Sequence, residues 1–311
     1  MIAWFVLLQA ALTIAVAGPA TSPEYLPLHV AQAEGLFAAE RLTVTLRSTR
    51  SDAGAAELLA AGQAQLAATS LDAALRLGSA AGPPPRLVHG LTAAPPVALL
   101  VAAGRAGTIR SAADLVGQTV AVPAPGTAED QVLGMLLARA RVAMHRVQVR
   151  SLGERGVARA LEGGAVAAGV LGEPYVSRLV ESGAAVVAVD LRTAGDAAAA
   201  LGGPTVNAAL FLRAGVEVQP ATVRALRAAL QAAVARVVSA DPAALQPALP
   251  PAVIGSPGDF AGRLRGARDL FLPDGRVSAE TLERSVELVR ARAPLPAKVK
   301  LPRRAGRLLV E

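Results

Sequence analysis

The sequence predicts an α/β protein built as two lobes with mostly parallel sheets, and three observations carry that expectation. Short β-rich runs alternate with helical patterns over the first two thirds of the chain, the signature of βαβ units. The 311 residues, 53% of them hydrophobic, suffice for about two compact units at a prior of roughly 150 residues each. Two stretches on either side of Pro95 and Pro96 also echo one another: LAAGQAQLAA at 59–68 and LEGGAVAAG at 161–169 each read as a helix end, a glycine cap and a strand.

The elements follow in order. LTIAV at 12–16 is β-branched and runs into Gly18 and Pro19, a strand followed by a turn. Further strand patterns lie at 42–46, 66–69, 87–90, 97–101, 119–122, 147–149, 167–171, 186–189 and 208–212. Helix starts are marked by SAAD at 111–114, TAED at 127–130 and SPGD at 256–259, where a hydroxyl caps the first turn and an acid stands three residues on. Beyond Leu212 only helical periodicity remains: Val223, Leu226, Leu230, Val234 and Val237 form one apolar stripe, and Leu282, Val286 and Val289 another. Pro294 and Pro296 close the last helix.

Composition excludes several function classes. Cysteine is absent, which removes disulfides, thiolate nucleophiles, cysteine-ligated metals and an acylated cysteine anchor. The three histidines, His29, His89 and His145, sit on separate segments and make no metal-ligand spacing, and no HExxH, GxSxG or phosphate-cradling loop occurs; no cofactor is expected. The net charge of +7 comes from scattered arginines without interleaved aromatics, so no nucleic-acid partner is expected. The densest cluster is Lys298, Lys300, Arg303, Arg304 and Arg307, read as a solvated basic C-terminal segment, 297–311, with an acidic docking partner as the alternative. The N-terminus carries an AVA cleavage pattern at 15–17 but no preceding cation. Reading 12–16 as the first strand leaves 1–11 as a hydrophobic segment too short for a complete export signal.

Several motifs, taken in order, resemble one known family. PLHVAQAEGLF at 27–37 with ERLTV at 40–44, ELLAAG at 57–62, ADLVGQTVAV at 113–122, APGT at 124–127, ALEGG at 160–164 with GEPY at 172–175, and DGRVS at 274–278 are similar to the ordered motifs of the nitrate/sulfonate/taurine-type substrate-binding proteins of ABC transporters, whose members include pyrimidine-precursor binders. The resemblance implies a two-lobed, type II periplasmic-binding-protein-like fold: lobe 1 from 12–95 and 207–296, lobe 2 from 96–206, and a ligand cleft that closes by hinge motion. The implied protein is a monomeric, extracytoplasmic, non-enzymatic carrier that passes a small anion, such as a sulfonate, taurine or nitrate, to an ABC permease.

Anion recognition belongs where strand ends meet helix starts, because unpaired backbone N–H groups gather there. Ser22 and Tyr25 after the first strand, Thr69 and Ser70 after the third, and Gly126 and Thr127 in the second lobe are the candidate ligand residues. The resemblance adds Glu173, from its Glu-Pro pair, which would favour an amine or other donor beside the anion. Two positions depart from the family pattern, Gln65 and Ala167, each standing where an aspartate is usual. They keep open a sensor or interaction protein with a degenerate cleft. A further alternative is an enzyme on the same fold, similar to menaquinone-pathway enzymes, with His29 as its catalytic candidate.

Overall fold

The computed structural model describes residues 11–79 and 82–310; apart from Ala11, the hydrophobic N-terminal segment expected at 1–11 lies outside them. Ten strands are seen among the described residues: β1 (Leu12–Val16), β2 (Val44–Ser48), β3 (Leu66–Ser70), β4 (Arg86–Gly90), β5 (Val97–Ala102), β6 (Thr119–Val122), β7 (Gln148–Ser151), β8 (Ala168–Gly172), β9 (Ala185–Asp190) and β10 (Ala208–Leu212). They form two five-stranded sheets, ordered β2-β1-β3-β10-β4 and β7-β6-β8-β5-β9. In each sheet four strands run one way and a single strand opposes them, β10 in the first and β5 in the second. Each opposing strand is the first one built after the chain crosses between sheets. The mostly parallel expectation therefore holds, with the exception placed at the crossings.

Sequence explains the burial. β5 reads VALLVA without a polar break and is buried throughout, as a central strand covered on both faces must be. Successive side chains point to opposite faces, so Leu99 joins one apolar cluster with Val120, Leu133 and Val170, while Leu100 joins another with Val157, Leu161 and Leu171. The long helix Pro220–Ser239, whose Leu226, Leu230 and Val234 stripe is buried as its spacing predicts, belongs to the same apolar core as Ile14, Leu66 and Phe211 of the first sheet. The helix Ala279–Arg292 does more than complete the first lobe. Its Leu282, Val286 and Val289 belong to the first lobe's core, whereas Leu288 packs in the second lobe's.

The crossings are joined to each other near the ends of β4 and β10. Thr92 N–H donates to the Ala208 carbonyl at 3.1 Å, and Asn207 N–H donates to the Thr92 carbonyl at 2.9 Å. Thr205 Oγ1 donates to the Ala93 carbonyl at 2.8 Å. Gln65 and Ala167 lie beside the N-terminal ends of β3 and β8: the Gln65 side chain accepts from Thr13 N–H at 2.9 Å, and Ala167 N–H bonds the Thr119 carbonyl at 2.9 Å. Both positions are therefore on sheet edges away from the C-terminal strand ends, and they say nothing about the cleft.

Two expectations about local chemistry are corrected. Ser256 precedes its helix without a side-chain cap, and the Asp259 carboxylate pairs with Arg178 at 2.7 Å rather than closing a capping box. The basic C-terminal segment is pinned rather than fully solvated: Ala305 and Leu308 are buried, and Val310 N–H bonds the Leu87 carbonyl at 2.9 Å.

At the turn after β1 the chain packs against the loop after β2 with no room for a side chain. A Cβ on Gly18 would lie 2.2 Å from the Thr49 carbonyl oxygen, a backbone atom that cannot rotate away. Gly18→Ala is expected to lower unfolding stability by about 1–3 kcal/mol, whereas Gly104→Ala, with nothing within 4 Å of the added atom, leaves it within about 0.5 kcal/mol. Urea midpoints of the two variants decide this.

Candidate ligand-binding cleft

The C-terminal ends of β1 and β3 in the first lobe face those of β6 and β8 in the second, and the residues they carry build the site. β1 runs through the Gly18 turn into Pro23–Tyr25, a short 3-10 helix that continues directly as the helix Leu26–Ala33. This buries Glu24 and Tyr25, 6% and 2% exposed. Glu24 Oε1 accepts from Thr92 Oγ1 at 2.9 Å and from Asn207 Nδ2 at 2.7 Å, one donor from each crossing. Its second oxygen has no hydrogen-bond partner among the described residues. Burial, together with the Asp52 and Glu129 charges and against the two hydrogen bonds, raises the Glu24 pKa from 4.5 to about 8, so Glu24 is protonated at neutral pH.

Asp52 opens the helix Asp52–Ala60, whose cap is the Ser51 hydroxyl. Its Oδ1 gathers the Tyr25 hydroxyl, Thr69 Oγ1 at 3.2 Å and Ser70 N–H at 2.8 Å. Burial nevertheless pushes its pKa up. Across the cleft, Glu129 lies in the first turn of the helix Ala128–Arg139, and burial with the Glu154 and Asp52 charges raises it too. Glu24, Asp52 and Glu129 are thus within electrostatic reach of one another, and none is in an ion pair among the described residues. Among the described residues no group of acids and histidines is arranged to hold a metal ion.

The structure brings most of the expected residues to this cleft, with altered roles. Tyr25, Thr69 and Ser70 converge on Asp52 rather than presenting free donors. Gly126, at φ +79, gives its N–H to Asp130 Oδ2 at 2.9 Å, and Thr127 caps its helix through Asp130 N–H. Glu173 bonds Ser177 N–H at 3.1 Å and Ser177 Oγ at 2.9 Å and pairs with Arg192, so it is engaged within its own lobe. In two of the three loops assigned to backbone anion binding an N–H, at Ser70 or Gly126, already holds a carboxylate of the protein, and Ser177 N–H does the same for Glu173. Ser22 lies instead beside Arg263, with Thr21 and Phe260. Arg263 bonds the Ile254 carbonyl at 2.7 Å, while its buried Nε has no partner.

Sequence reasoning passed over Glu24, Asp52 and Glu129. The available signal for Glu24 was an acid in the loop after β1, next to the chosen Tyr25. Asp52 and Glu129 occupy first helical turns, where acids are ordinary, and nothing local separates them from caps. His29, the catalytic candidate, is buried within its helix, with its pKa lowered by that burial.

Comparison with known proteins fits this architecture. The family model described as "NMT1/THI5 like" matches residues 22–244. The chain belongs to this family. In fold it is similar to a protein of Bordetella bronchiseptica RB50, with TM-score 0.72, 24% identity and 96% of each chain covered. It is also similar to the alkanesulfonate-binding protein SsuA of Xanthomonas axonopodis pv. citri, solved with bound MOPS, with TM-score 0.65, 18% identity, and 94% of this chain and 99% of that one covered. The periplasmic nitrate-binding protein NrtA of Synechocystis PCC 6803 matches at TM-score 0.53 and 14% identity over 83% of this chain and 69% of that one. No curated protein matches the chain in sequence. The likeness to these structures gives the fold, and no described helix is long and apolar enough to cross a membrane.

The Glu24 environment fixes the sign of a pH effect. The folded protein keeps the Glu24 proton up to about pH 8, whereas the unfolded chain releases it near 4.5; burial of Glu24 therefore carries no ionisation cost below 4.5, and the cost grows as pH rises to 8. Relative to the wild type, Glu24→Gln should gain stability progressively across that window, by up to about 5 kcal/mol, and run parallel to it outside. Denaturant unfolding of both proteins at pH 4.5, 6 and 8 measures this; a pH-independent difference would contradict it.

Proposed function

We propose that this protein is the extracytoplasmic solute-binding component of an ABC importer and that its cargo joins a cationic or N–H-donating group to an anionic one. The observation that carries the ligand class is the carboxylate cluster. Glu24, Asp52 and Glu129 face one cleft with no cation among their partners, and bringing like charges together in a partly desolvated site is costly until a positive charge or strong donor joins them. A bare anion meets the opposite situation, since protein carboxylates already hold the backbone N–H groups at Ser70 and Gly126. To the anionic end of the ligand we assign Arg263, which lies beside Thr21 and Ser22 and whose buried Nε has no partner. Of the ligands suggested by sequence, an aminosulfonate such as taurine suits this cleft, whereas nitrate and simple alkanesulfonates do not.

Capture follows from the geometry. Ligand bridging Asp52 in one lobe and Glu129 in the other favours the closed arrangement by its differential contacts. Glu24 sits where both crossings meet, so its proton and its second oxygen lie at the pivot of that motion. The permease then receives the loaded form; no step forms or breaks a covalent bond.

Calorimetry tests the ligand class. Taurine is expected to bind and ethanesulfonate, which lacks only the amine, to bind at least about tenfold more weakly, one lost charge-assisted contact. Asp52→Asn should weaken taurine by a similar factor. Equal affinity for the two sulfonates would overturn the carboxylate reading, and binding of neither would move the search to other aminated acids and aminated heterocycles.

A further inference from the structure

One helix of the first lobe touches the second lobe near both of its ends. The helix Pro257–Ala267 buries Phe260, Leu264 and Ala267 in the first lobe's core, and the helix Tyr175–Glu181 buries Val176 and Leu179 in the second's. Between the two helices Arg178 Nη2 donates to Asp259 Oδ1 at 2.7 Å. Toward the far end, a Cβ on Gly266 would lie 2.8 Å from Glu173 Cγ. Glycine therefore lets the helix backbone close on a side chain that Arg192 and Ser177 already hold still.

The same segment runs on into contact with the outward crossing. Beyond Ala267, Leu270 packs in the second lobe's core. Its carbonyl accepts from Ala93 N–H at 2.8 Å, and Leu272 N–H donates to the Leu91 carbonyl at 2.9 Å. Residues 257–272 thus connect two contacts between the lobes to the segment that joins them. The choice of partner at Asp259 points the same way. Arg263 stands four residues on along the same helix, the spacing at which an acid and a base ordinarily pair, yet among the described residues the ion pair of Asp259 is with Arg178 of the other lobe.

The side chains of Arg178 and Asp259 are 60% and 29% exposed, and an ion pair so wet changes an equilibrium by no more than about fivefold. That is too weak to lock two lobes together and enough to bias them, because a two-state element responds to contacts made in only one of its states. We infer that Arg178 with Asp259, and Gly266 with Glu173, form a latch that favours the closed arrangement of the empty protein. Cargo then meets a cleft already biased toward the form that holds it, which raises its apparent affinity by the same factor. The inference rests on the hinge closure proposed above and is independent of the chemistry of the cargo.

The chain has no cysteine, so nitroxides on Glu57→Cys and Arg155→Cys report the distance between lobes by pulsed electron paramagnetic resonance. Both positions are exposed, one on the helix Asp52–Ala60 and the other on the helix Gly153–Glu162. In the empty protein, Arg178→Asp and Asp259→Arg are each expected to lower the closed-to-open ratio at least about threefold, and the two together to restore it. Gly266→Ala should lower the ratio as well without loss of thermal stability, because alanine suits a helix interior better than glycine. A ratio unmoved by either charge reversal, or not restored by the exchange, would overturn the latch. Added taurine separates this from the closure reading: distances that taurine shortens but charge reversal leaves alone remove only the latch, and distances that neither moves count against hinge closure as well.

Discussion

The buried carboxyl of Glu24 ties together the features on which this protein depends. One oxygen accepts from Thr92 in the outward crossing and from Asn207 in the return, so a single side chain after the first strand holds both crossing segments. A buried acid is expensive unless it is hydrogen-bonded or neutral. This one is both, with two donors on Oε1 and a pKa near 8. The crossings are in turn bonded to each other and to the Ala279–Arg292 helix, where Ser285 Oγ accepts from Val206 N–H at 2.9 Å. Glu24, the two crossings and the Ala279–Arg292 helix are one connected polar network.

That arrangement explains why the cleft is acidic rather than basic. The same strand-end N–H groups that could bind an external anion are satisfied internally, by Asp52 at Ser70 and by Asp130 at Gly126. These carboxylates fix the loops and leave the site in need of positive charge or donors. His89 shows a related economy in the core: it is 1% exposed with neither ring nitrogen bonded, and burial with the Arg227 charge lowers its pKa to about 4. It therefore packs as a neutral ring against Gly275, where an added Cβ would lie 2.0 Å from the imidazole. Its stability contribution opposes that of Glu24 in sign, because acid below pH 6.5 protonates the unfolded chain first.

Much of the fold was legible because it rests on short-range pattern. The ten strand runs, the capped start at Thr127 and the buried stripes of the late helices follow from periodicity and cap chemistry, and the run from motif to motif gave the two-lobed plan. The site was legible only as a neighbourhood. Tyr25, Thr69, Ser70, Gly126 and Thr127 all lie at the expected strand ends, yet the donors of Tyr25, Thr69 and Ser70 turn inward to Asp52, distant in sequence, while Gly126 turns to Asp130 and Thr127 Oγ1 to the Ala124 carbonyl. Tyr25 and Asp52 are separated by 27 positions, and Glu24 and Asn207 by 183. No local pattern reports such pairings. Glu173 illustrates the limit: its place beside Pro174 is readable, but its commitment to Arg192 depends on how β8 and β9 flank β5.

The central claim is that ligand charge is matched at a carboxylate cluster whose deepest member holds a proton in the empty protein. Titration calorimetry with taurine near pH 7, repeated in buffers of different ionisation enthalpy, measures that directly. The account predicts net proton release on binding, since a cation beside Glu24 favours its ionised form, and loss of that release in Glu24→Gln. Binding with no proton exchange in the wild type, or the same exchange in the variant, would contradict it.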